Sequence, residues 1–520
     1  MKIEILDTTL RDGEQTQGVS YSPPEKLHIA SMLLRDLKAD RIEVASARVS
    51  PGEQEAVRLI TSWAEQNGMA DRVEVLGFVD GAGSLEWIRE AGGRVINLLC
   101  KGSLRHLEKQ LRKTPDEHIR EILDIVAMAE TRGMTVNIYL EDWSNGMLAS
   151  PGYVFRMADA LSGSSIRRIM LPDTLGILSP DQAYDFCAQM TARYPEIHFD
   201  FHPHNDYDLS VANIYSAVKA GVKGVHATVN GLGERAGNAP LSSVIAILRD
   251  HLDAETGVNE YEITRVSRMV EKFSGIRIPV NKPVIGANVF TQTSGVHADG
   301  DRKDNLYCST LSPERFGRKR EYALGKQSGK ATIRKNLEEF GLELSPELVA
   351  RVTERVIELG DKKESVTRDD LPFIITDVLG EDRSGYRVFI RNYSLNLTCG
   401  LRPSASVQVE IDGVLHQETA AGDGQYDAFM KALRKVYESL GTALPLLADY
   451  EVSIPPGGET DALVETVIRW NHKGREFRTR GLDADQTESA IKATEKMLNI
   501  IRGNKTENDY NKLIEISHEL

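Results

Sequence analysis

The chain's 520 residues exceed what a single hydrophobic core accommodates, so two or three domains are expected. Hydrophobic residues at 41% and charged residues at 27% exclude a largely disordered chain and give no sign of a membrane class. A net charge of −14 argues against nonspecific nucleic-acid binding, so any phosphate-bearing ligand must find locally basic surface.

The first residues, MKIEILDTTLRDGEQT, run straight into an alternating strand with no apolar stretch and cleavage site, so no signal peptide is expected. The four cysteines, Cys100, Cys187, Cys308 and Cys399, have no CxxC spacing and suit a reducing compartment; a cytoplasmic location is the expectation.

Up to about residue 275 one theme recurs: a short β-branched run, a polar turn, then an amphipathic stretch of helical period. Eight such runs are predicted as strands, namely Ile3–Leu6, Arg41–Ala45, Val73–Phe78, Val95–Leu99, Thr135–Leu140, Arg168–Leu171, His198–His202 and Val225–Val229. Pro24–Leu37 and Asp116–Arg132 are among the helices between them. Eight strand-helix units read as an α/β fold of the (β/α)₈ barrel type. A doubly wound sheet is the alternative, and the count of eight with polar strand ends favours the barrel.

From residue 276 to 380 the strand rhythm stops and helical segments such as Pro346–Leu359 dominate, which reads as a helical linker region. Residues 381–520 are expected to form a C-terminal α+β domain of two similar halves. The first is strands Tyr386–Thr398 and Ala405–Gln417 with helix Ala428–Leu440; the second is strands Asp449–Ile454 and Leu463–Trp470 with helix Gln486–Ile501.

The sharpest chemical signal is His202-Pro203-His204 at the end of the seventh strand. Alternate strand residues face one side, so two imidazoles there can share one ion. Asp12, after the first strand, is an oxygen ligand for the same ion, because barrel strand ends converge on one face. Two histidines and a carboxylate leave coordination positions open, as Lewis-acid catalysis on a carbonyl requires. Arg11 is placed to stabilise an oxyanion or to form a structural ion pair. Glu141, at the end of the fifth strand, is placed to pair with Arg11, to take part in proton transfer or to cap the following helix. Thr174 is a neutral donor for a substrate carboxylate or a helix cap.

Two glycine-rich stretches are set aside. Asn230–Asn238 has the wrong spacing for a dinucleotide fingerprint and reads as a turn shaped to reach the site. Gly325–Ala331 has the outline of a P-loop but lacks one spacer and the Ser/Thr after Lys330, which excludes an NTPase. Arg318-Lys319-Arg320 is a solvated face or an aid in holding a coenzyme phosphate.

Taken together, Asp7–Gln15, the HxH-Asn-Asp run, Asn230–Asn238 and Thr293–Gly300 resemble the metal-dependent acyl-CoA condensing family of isopropylmalate, homocitrate and citramalate synthases, over nearly the whole chain. The resemblance implies a barrel that binds a divalent ion (Mn²⁺, Mg²⁺ or Zn²⁺) and a 2-oxo acid, with acetyl-CoA as co-substrate. It implies a linker that completes the site and a C-terminal domain that binds a regulatory amino acid. By motif, Asp12, His202 and His204 become metal ligands with Asn238 a fourth; Arg11, Glu141 and Thr174 fall on substrate or catalytic positions. His297, Asn305 and Tyr307 match linker residues implicated in acetyl-CoA deprotonation or binding, placed over a partner's barrel in a homodimer.

Ile42–Ser50, Tyr139–Gly146 and Leu401-Arg402-Pro403 are most similar to the citramalate branch, which uses pyruvate and serves isoleucine synthesis. Leu76, Leu99 and Tyr139 are then expected to surround the oxo acid's alkyl group. The stretches Gly422–Ala428 and Pro455–Ala462 are expected to carry the isoleucine site, with Tyr426, Asp427, Tyr450 and Thr460 as regulatory residues. An isopropylmalate synthase is the alternative. An acyl-CoA lyase would resemble a barrel-only chain with a cysteine-bearing glycine loop, absent here, and a non-catalytic amino-acid-binding regulator would have lost the metal ligands.

Overall fold

The computed structural model describes residues 1–292, 309–339, 344–361, 387–453, 464–483 and 485–502, with positions 306, 342, 366, 371, 374, 375 and 378 between them. The chain divides into two compact units. The described residues of Met1–Phe290 and Cys308–Arg320 form one, and those of Thr291–Tyr307 and Glu321–Leu520 form the other.

The first unit is a closed barrel of eight parallel strands in sequence order. They are β1 (Glu4–Asp7), β2 (Arg41–Ser46), β3 (Val73–Phe78), β4 (Val95–Lys101), β5 (Thr135–Glu141), β6 (Arg168–Asp173), β7 (His198–Pro203) and β8 (Gly224–Ala227). The barrel expected from the sequence is therefore present, and several strands run one or two residues further toward the carboxyl end than the apolar runs suggested. Three of the outer helices open with the same device. Ser50, Thr114 and Ser179 each accept the backbone N–H three residues on, at 3.1, 3.3 and 3.3 Å, and each is followed by a proline at the first helical position. In the last two, Glu117 and Gln182 return the bond to the capping residue's N–H, at 2.8 and 3.0 Å. Helix Pro115–Thr131 then buries Ile122, Ile125, Val126 and Ala129 at helical spacing against the barrel.

Along each strand, alternate side chains serve two environments. Ile5, Val44, Val75, Leu98, Ile138 and Phe201 join helix residues in the main core around the barrel. The other set lies inside and is largely polar: Arg41, Glu43, Glu74, Asn97, Asn137, Arg168 and Asp200 are all buried. Arg41 of β2 reaches across to Asp200 of β7 at 2.5 Å, and also meets Glu74 at 2.9 Å and Glu4 at 3.3 Å. Arg168 adds contacts to Glu4 at 3.0 Å and Asp200 at 3.4 Å. Buried charges survive only when paired, and this network fills the amino-terminal end of the barrel. Gly224 makes room for it, since a Cβ there would lie 2.0 Å from Asp200 Oδ1.

The stretch after the barrel is shared between the units. Phe316 is buried with the barrel core, and Arg315 binds Glu260 and Asp250 through contacts of 2.6–2.8 Å. In the second unit β9 (Thr291–Gln292) and β10 (Glu321–Tyr322) pair in parallel, and helices Lys330–Glu339 and Pro346–Asp361 pack through Ile333, Leu337, Val349, Val352 and Val356.

The C-terminal halves each hold three strands where two were expected. They are β11 (Val388–Asn396), β12 (Ser404–Ile411) and β13 (Val414–Ala421) with helix Gln425–Ser439, then β14 (Leu446–Ser453), β15 (Val464–His472) and β16 (Arg475–Asp483) with helix Gln486–Arg502. The expected single strand Ala405–Gln417 is a hairpin, because Asp412 and Gly413 both take positive φ, 49° and 82°, and reverse the chain. Lys473 and Gly474, at 54° and 84°, do the same between β15 and β16. Both halves bury one common core that includes Val407, Val409, Phe429, Leu433, Trp470 and Met497. Among the described residues no helix is long and apolar enough to cross a membrane.

Because Asp200 is pinned by two arginines, Gly224→Ala cannot be relieved by rotating the carboxylate away. It is expected to destabilise the barrel by roughly 1–3 kcal/mol, read as a lower urea midpoint; an unchanged midpoint would show that the network yields.

Candidate metal centre and substrate pocket

At the carboxyl end of β1 the chain turns sharply, with the N–H groups of Arg11, Asp12 and Gly13 all directed at the Thr8 carbonyl, at 3.2, 2.9 and 3.0 Å. This turn delivers Asp12 beneath the end of β7, where its Oδ2 lies 3.0 Å from His202 Nε2 and 3.8 Å from His204 Nε2. Asp12, His202 and His204 are all buried, and one ligand atom from each lies within 4.8 Å of the others. Asn238 is brought alongside by a bridge between its backbone and that of His204. Its side-chain amide donates to the Leu232 carbonyl at 3.0 Å, which leaves Oδ1 as the atom to offer.

These residues fit a divalent ion. Asp12 Oδ1 and Asn238 Oδ1 are buried without a hydrogen-bond partner among the described residues. A carboxylate oxygen, an amide oxygen and two imidazole nitrogens form a donor set of borderline character that leaves positions for substrate. Burial opposes the Asp12 charge, but Arg11, His202 and His204 outweigh it and hold the carboxyl well below its usual range. Burial lowers His204 to about 4 against the pull of Asp12, so its ring is neutral and able to ligate near neutral pH.

Arg11 contacts Asp12 at 3.3 Å and Glu43 at 2.5 Å. Burial works against its charge, while Glu43 and Asp12 hold the guanidinium above its ordinary range. The expected option of an Arg11–Glu141 pair is not realised: Glu43, on the inward face of neighbouring β2, takes the arginine, and Glu141 pairs with Lys101. In the ladder between β4 and β5, Lys101 lies opposite Glu141 one inward step beyond Leu99 opposite Tyr139, so the ion pair stands at the mouth of the barrel above the apolar wall. Thr174 Oγ1 accepts the N–H of Asp142 at 2.9 Å and still keeps its own proton to donate; it does not cap the helix that follows it, Pro180–Arg193, which Ser179 caps.

Leu76 and Tyr139 are buried in one small cluster with Leu6 and Met170, and Leu99 packs against it. The Arg11 guanidinium lies 5.8 Å from the centre of the Tyr139 ring. Sequence reasoning missed Leu6, Met170, Glu43, Lys101, Asp200 and His226. A signal was available in His198-Phe199-Asp200-Phe201-His202, where polar and aromatic residues alternate strictly.

In the second unit Tyr426 and Tyr450 meet with ring centroids 5.4 Å apart, and the Tyr426 hydroxyl is 2.7 Å from Thr494 Oγ1. Asp427 is engaged locally, by the Asp423 N–H at 2.8 Å and Lys431 at 2.6 Å. His297, Asn305, Tyr307 and Thr460 lie outside the described residues.

Residues 2–270 match the HMGL-like family. The chain belongs to that family. Beyond its HMGL-like barrel, residues 284–364 match a homocitrate synthase post-HMGL domain-like family and residues 365–502 a LeuA allosteric (dimerisation) domain. A 2-isopropylmalate synthase of Pyrococcus furiosus is 35% identical over 510 residues, covering 96% of this chain and 99% of its own. An (R)-citramalate synthase of Methanocaldococcus jannaschii is 33% identical over 509 residues, 96% of this chain and all of its own. A 2-isopropylmalate synthase of the same organism is 33% identical over 502 residues, 95% of this chain and 93% of its own. Within the HMGL-like family this chain therefore stands with the condensing synthases, and overall identity does not separate the two substrate classes. The two further domain matches set it apart from a barrel-only lyase.

His202→Ala and His204→Ala are each expected to abolish stoichiometric uptake of Mn²⁺ or Zn²⁺ by calorimetry, with the thermal midpoint of the metal-free protein close to wild type. A double variant that still holds one ion per chain would remove the assignment.

Proposed function

We propose that the protein is an (R)-citramalate synthase: acetyl-CoA and pyruvate are joined and the thioester is hydrolysed, giving citramalate and CoA. The observation that carries this reading is the apolar wall of Leu76, Leu99 and Tyr139, backed by Leu6 and Met170. Bulky side chains on three adjacent strands leave room for a methyl group and crowd an isopropyl group. A divalent ion held by Asp12, His202, His204 and Asn238 supplies Lewis-acid polarisation of the keto oxygen and a hold on the substrate carboxylate. Arg11, fixed by Glu43, presents a permanent positive charge to the oxyanion that develops as the acetyl carbanion adds to the keto carbon. The Thr174 hydroxyl donates to the substrate carboxylate. Glu141 at the mouth takes part in proton transfer, and His297, Asn305 and Tyr307 bind or deprotonate acetyl-CoA in a homodimer. Isoleucine is the proposed inhibitor, held in the C-terminal domain near Tyr426, Asp427, Tyr450 and Thr460.

A 2-isopropylmalate synthase is the second reading, favoured by the equal identity to both enzymes of one organism. Substrate size separates the two. Thiol release from acetyl-CoA should show kcat/KM falling from pyruvate to 2-oxobutanoate and far lower with 2-oxoisovalerate. One methylene in an apolar pocket is worth only about 1–3 kcal/mol, so steric refusal must supply the larger gap. Leu76→Ala or Leu99→Ala should narrow it while lowering efficiency with pyruvate. A wild-type kcat/KM for 2-oxoisovalerate equal to that for pyruvate would transfer the protein to the second reading.

The regulatory assignment has its own test. Calorimetry on the full chain should show isoleucine binding that Tyr426→Ala weakens; binding of leucine with none of isoleucine would point to the isopropylmalate branch.

A further inference from the structure

Lys101 ends strand β4 on its inward face, almost wholly buried, and has no part in the condensation described above. An ammonium group in such a place is costly unless it is paired. Its Nζ meets Glu141 Oε2 across the β4–β5 ladder, and Glu141 Oε1 has no hydrogen-bond partner among the described residues. The main chain beneath the pair is held from several directions. The Lys101 N–H donates to His118 Nε2 at 3.1 Å, the Lys101 carbonyl accepts the Tyr153 hydroxyl at 2.8 Å, and the Gly102 N–H donates to the Glu141 carbonyl at 2.6 Å. Burial lowers His118 to about 4, so its ring is neutral near neutral pH and able to accept. Gly102 permits this close approach, since a Cβ there would lie 2.3 Å from the Leu140 carbonyl oxygen. One residue on, Ser103 Oγ donates to Asp142 Oδ2 at 2.6 Å, so side chains also tie the exits of β4 and β5 together.

A purely stabilising role accounts poorly for this arrangement. The Glu141 side chain is 24% exposed, and an ion pair open to water contributes little to stability. The ladder already joins the two strands residue by residue, from Val95 opposite Thr135 onward. What the pair does supply is orientation. A glutamate side chain has several rotatable bonds, and at the mouth of a barrel it would otherwise turn toward water. Lysine holds one carboxylate oxygen and leaves the other to take up or hand on a proton. We propose that Lys101 is a positioning residue that fixes the Glu141 carboxylate above the wall of Leu99 and Tyr139, in the orientation its proton transfer needs. The inference rests on Glu141 taking part in proton transfer and is independent of which oxo acid is used.

Lys101→Met keeps most of the length and the apolar stem and removes the charge. With the oxo acid that wild type turns over fastest, it is expected to lower kcat for thiol release by about 10–100-fold. KM for the oxo acid and the thermal midpoint should stay close to wild type. Glu141→Gln is expected to lose about 100–10,000-fold in kcat. The deciding measurement is the double variant. A residue that acts only through Glu141 costs little once that carboxylate is gone, so the double variant should match Glu141→Gln. Losses that multiply would show Lys101 acting on the substrate directly, and a Lys101→Met kcat equal to wild type would show a packing role; either overturns the inference. Glu141→Gln turning over as fast as wild type removes the proton-transfer reading itself, and the inference with it. Should Lys101→Met not fold, the same cycle is run with Lys101→Gln, which is neutral but polar. A loss in kcat that vanishes in the Glu141→Gln background supports the proposal, and one that persists there, or no loss at all, overturns it.

Discussion

The barrel depends on one constraint: charged groups sealed inside it must satisfy one another. Arg41 is shared among Glu4, Glu74 and Asp200, and Arg168 between Glu4 and Asp200, so that Glu4 and Asp200 each hold both arginines. Breaking such a buried pair by removing one member costs about 3–5 kcal/mol, because the survivor remains desolvated. The network therefore resists piecemeal change and gives the strand ends above it a fixed floor. Asp200 joins this floor to the layer above it, since it touches both arginines below and His226 above.

From that floor upward the interior passes from charge to apolar wall to the candidate ion site. Leu6, Leu76, Tyr139 and Met170 lie between the ion network and the carboxyl-end cluster of Asp12, His202 and His204. The low dielectric of such a layer strengthens the electrostatics of whatever is bound above it. Arg11 and Asp12, adjacent in sequence, bring a fixed positive charge and a carboxylate oxygen to one place, and their 3.3 Å contact holds the two together.

Much of this was legible in the residues. The strands were visible because each carries a run of β-branched or aromatic residues for the outer core, and the HxH pair was visible because its spacing matches the strand period. The partners of the site residues were not, because pairing depends on ladder register: only the alignment of β4 with β5 puts Lys101 against Glu141. Interior residues such as Glu43 and His226 carry no motif and are recognised only once the barrel has closed around them. The missed strands have a different cause. β13 and β16 flank their three-stranded sheets and carry sequences with no strict polar–apolar alternation, VLHQETAA and REFRTRGLD. The Asp412-Gly413 dipeptide was the stronger cue for the first of them.

Among the described residues, the last helix also serves the first strand of the C-terminal sheets. Asn499, on helix Gln486–Arg502, accepts the N–H groups of Arg387 and Val388 at 3.1 Å and donates to the Val388 carbonyl at 2.9 Å, pinning the start of β11 from more than a hundred residues away. During synthesis the barrel has all its strands once Ala227 has left the ribosome, but the start of β11 must wait for Asn499 before its backbone groups are bonded. Domains emerging amino end first ordinarily fold in that order. Here the nascent chain spends the interval with a barrel complete in its strands and a β11 whose first backbone groups still lack the partner that helix Gln486–Arg502 brings.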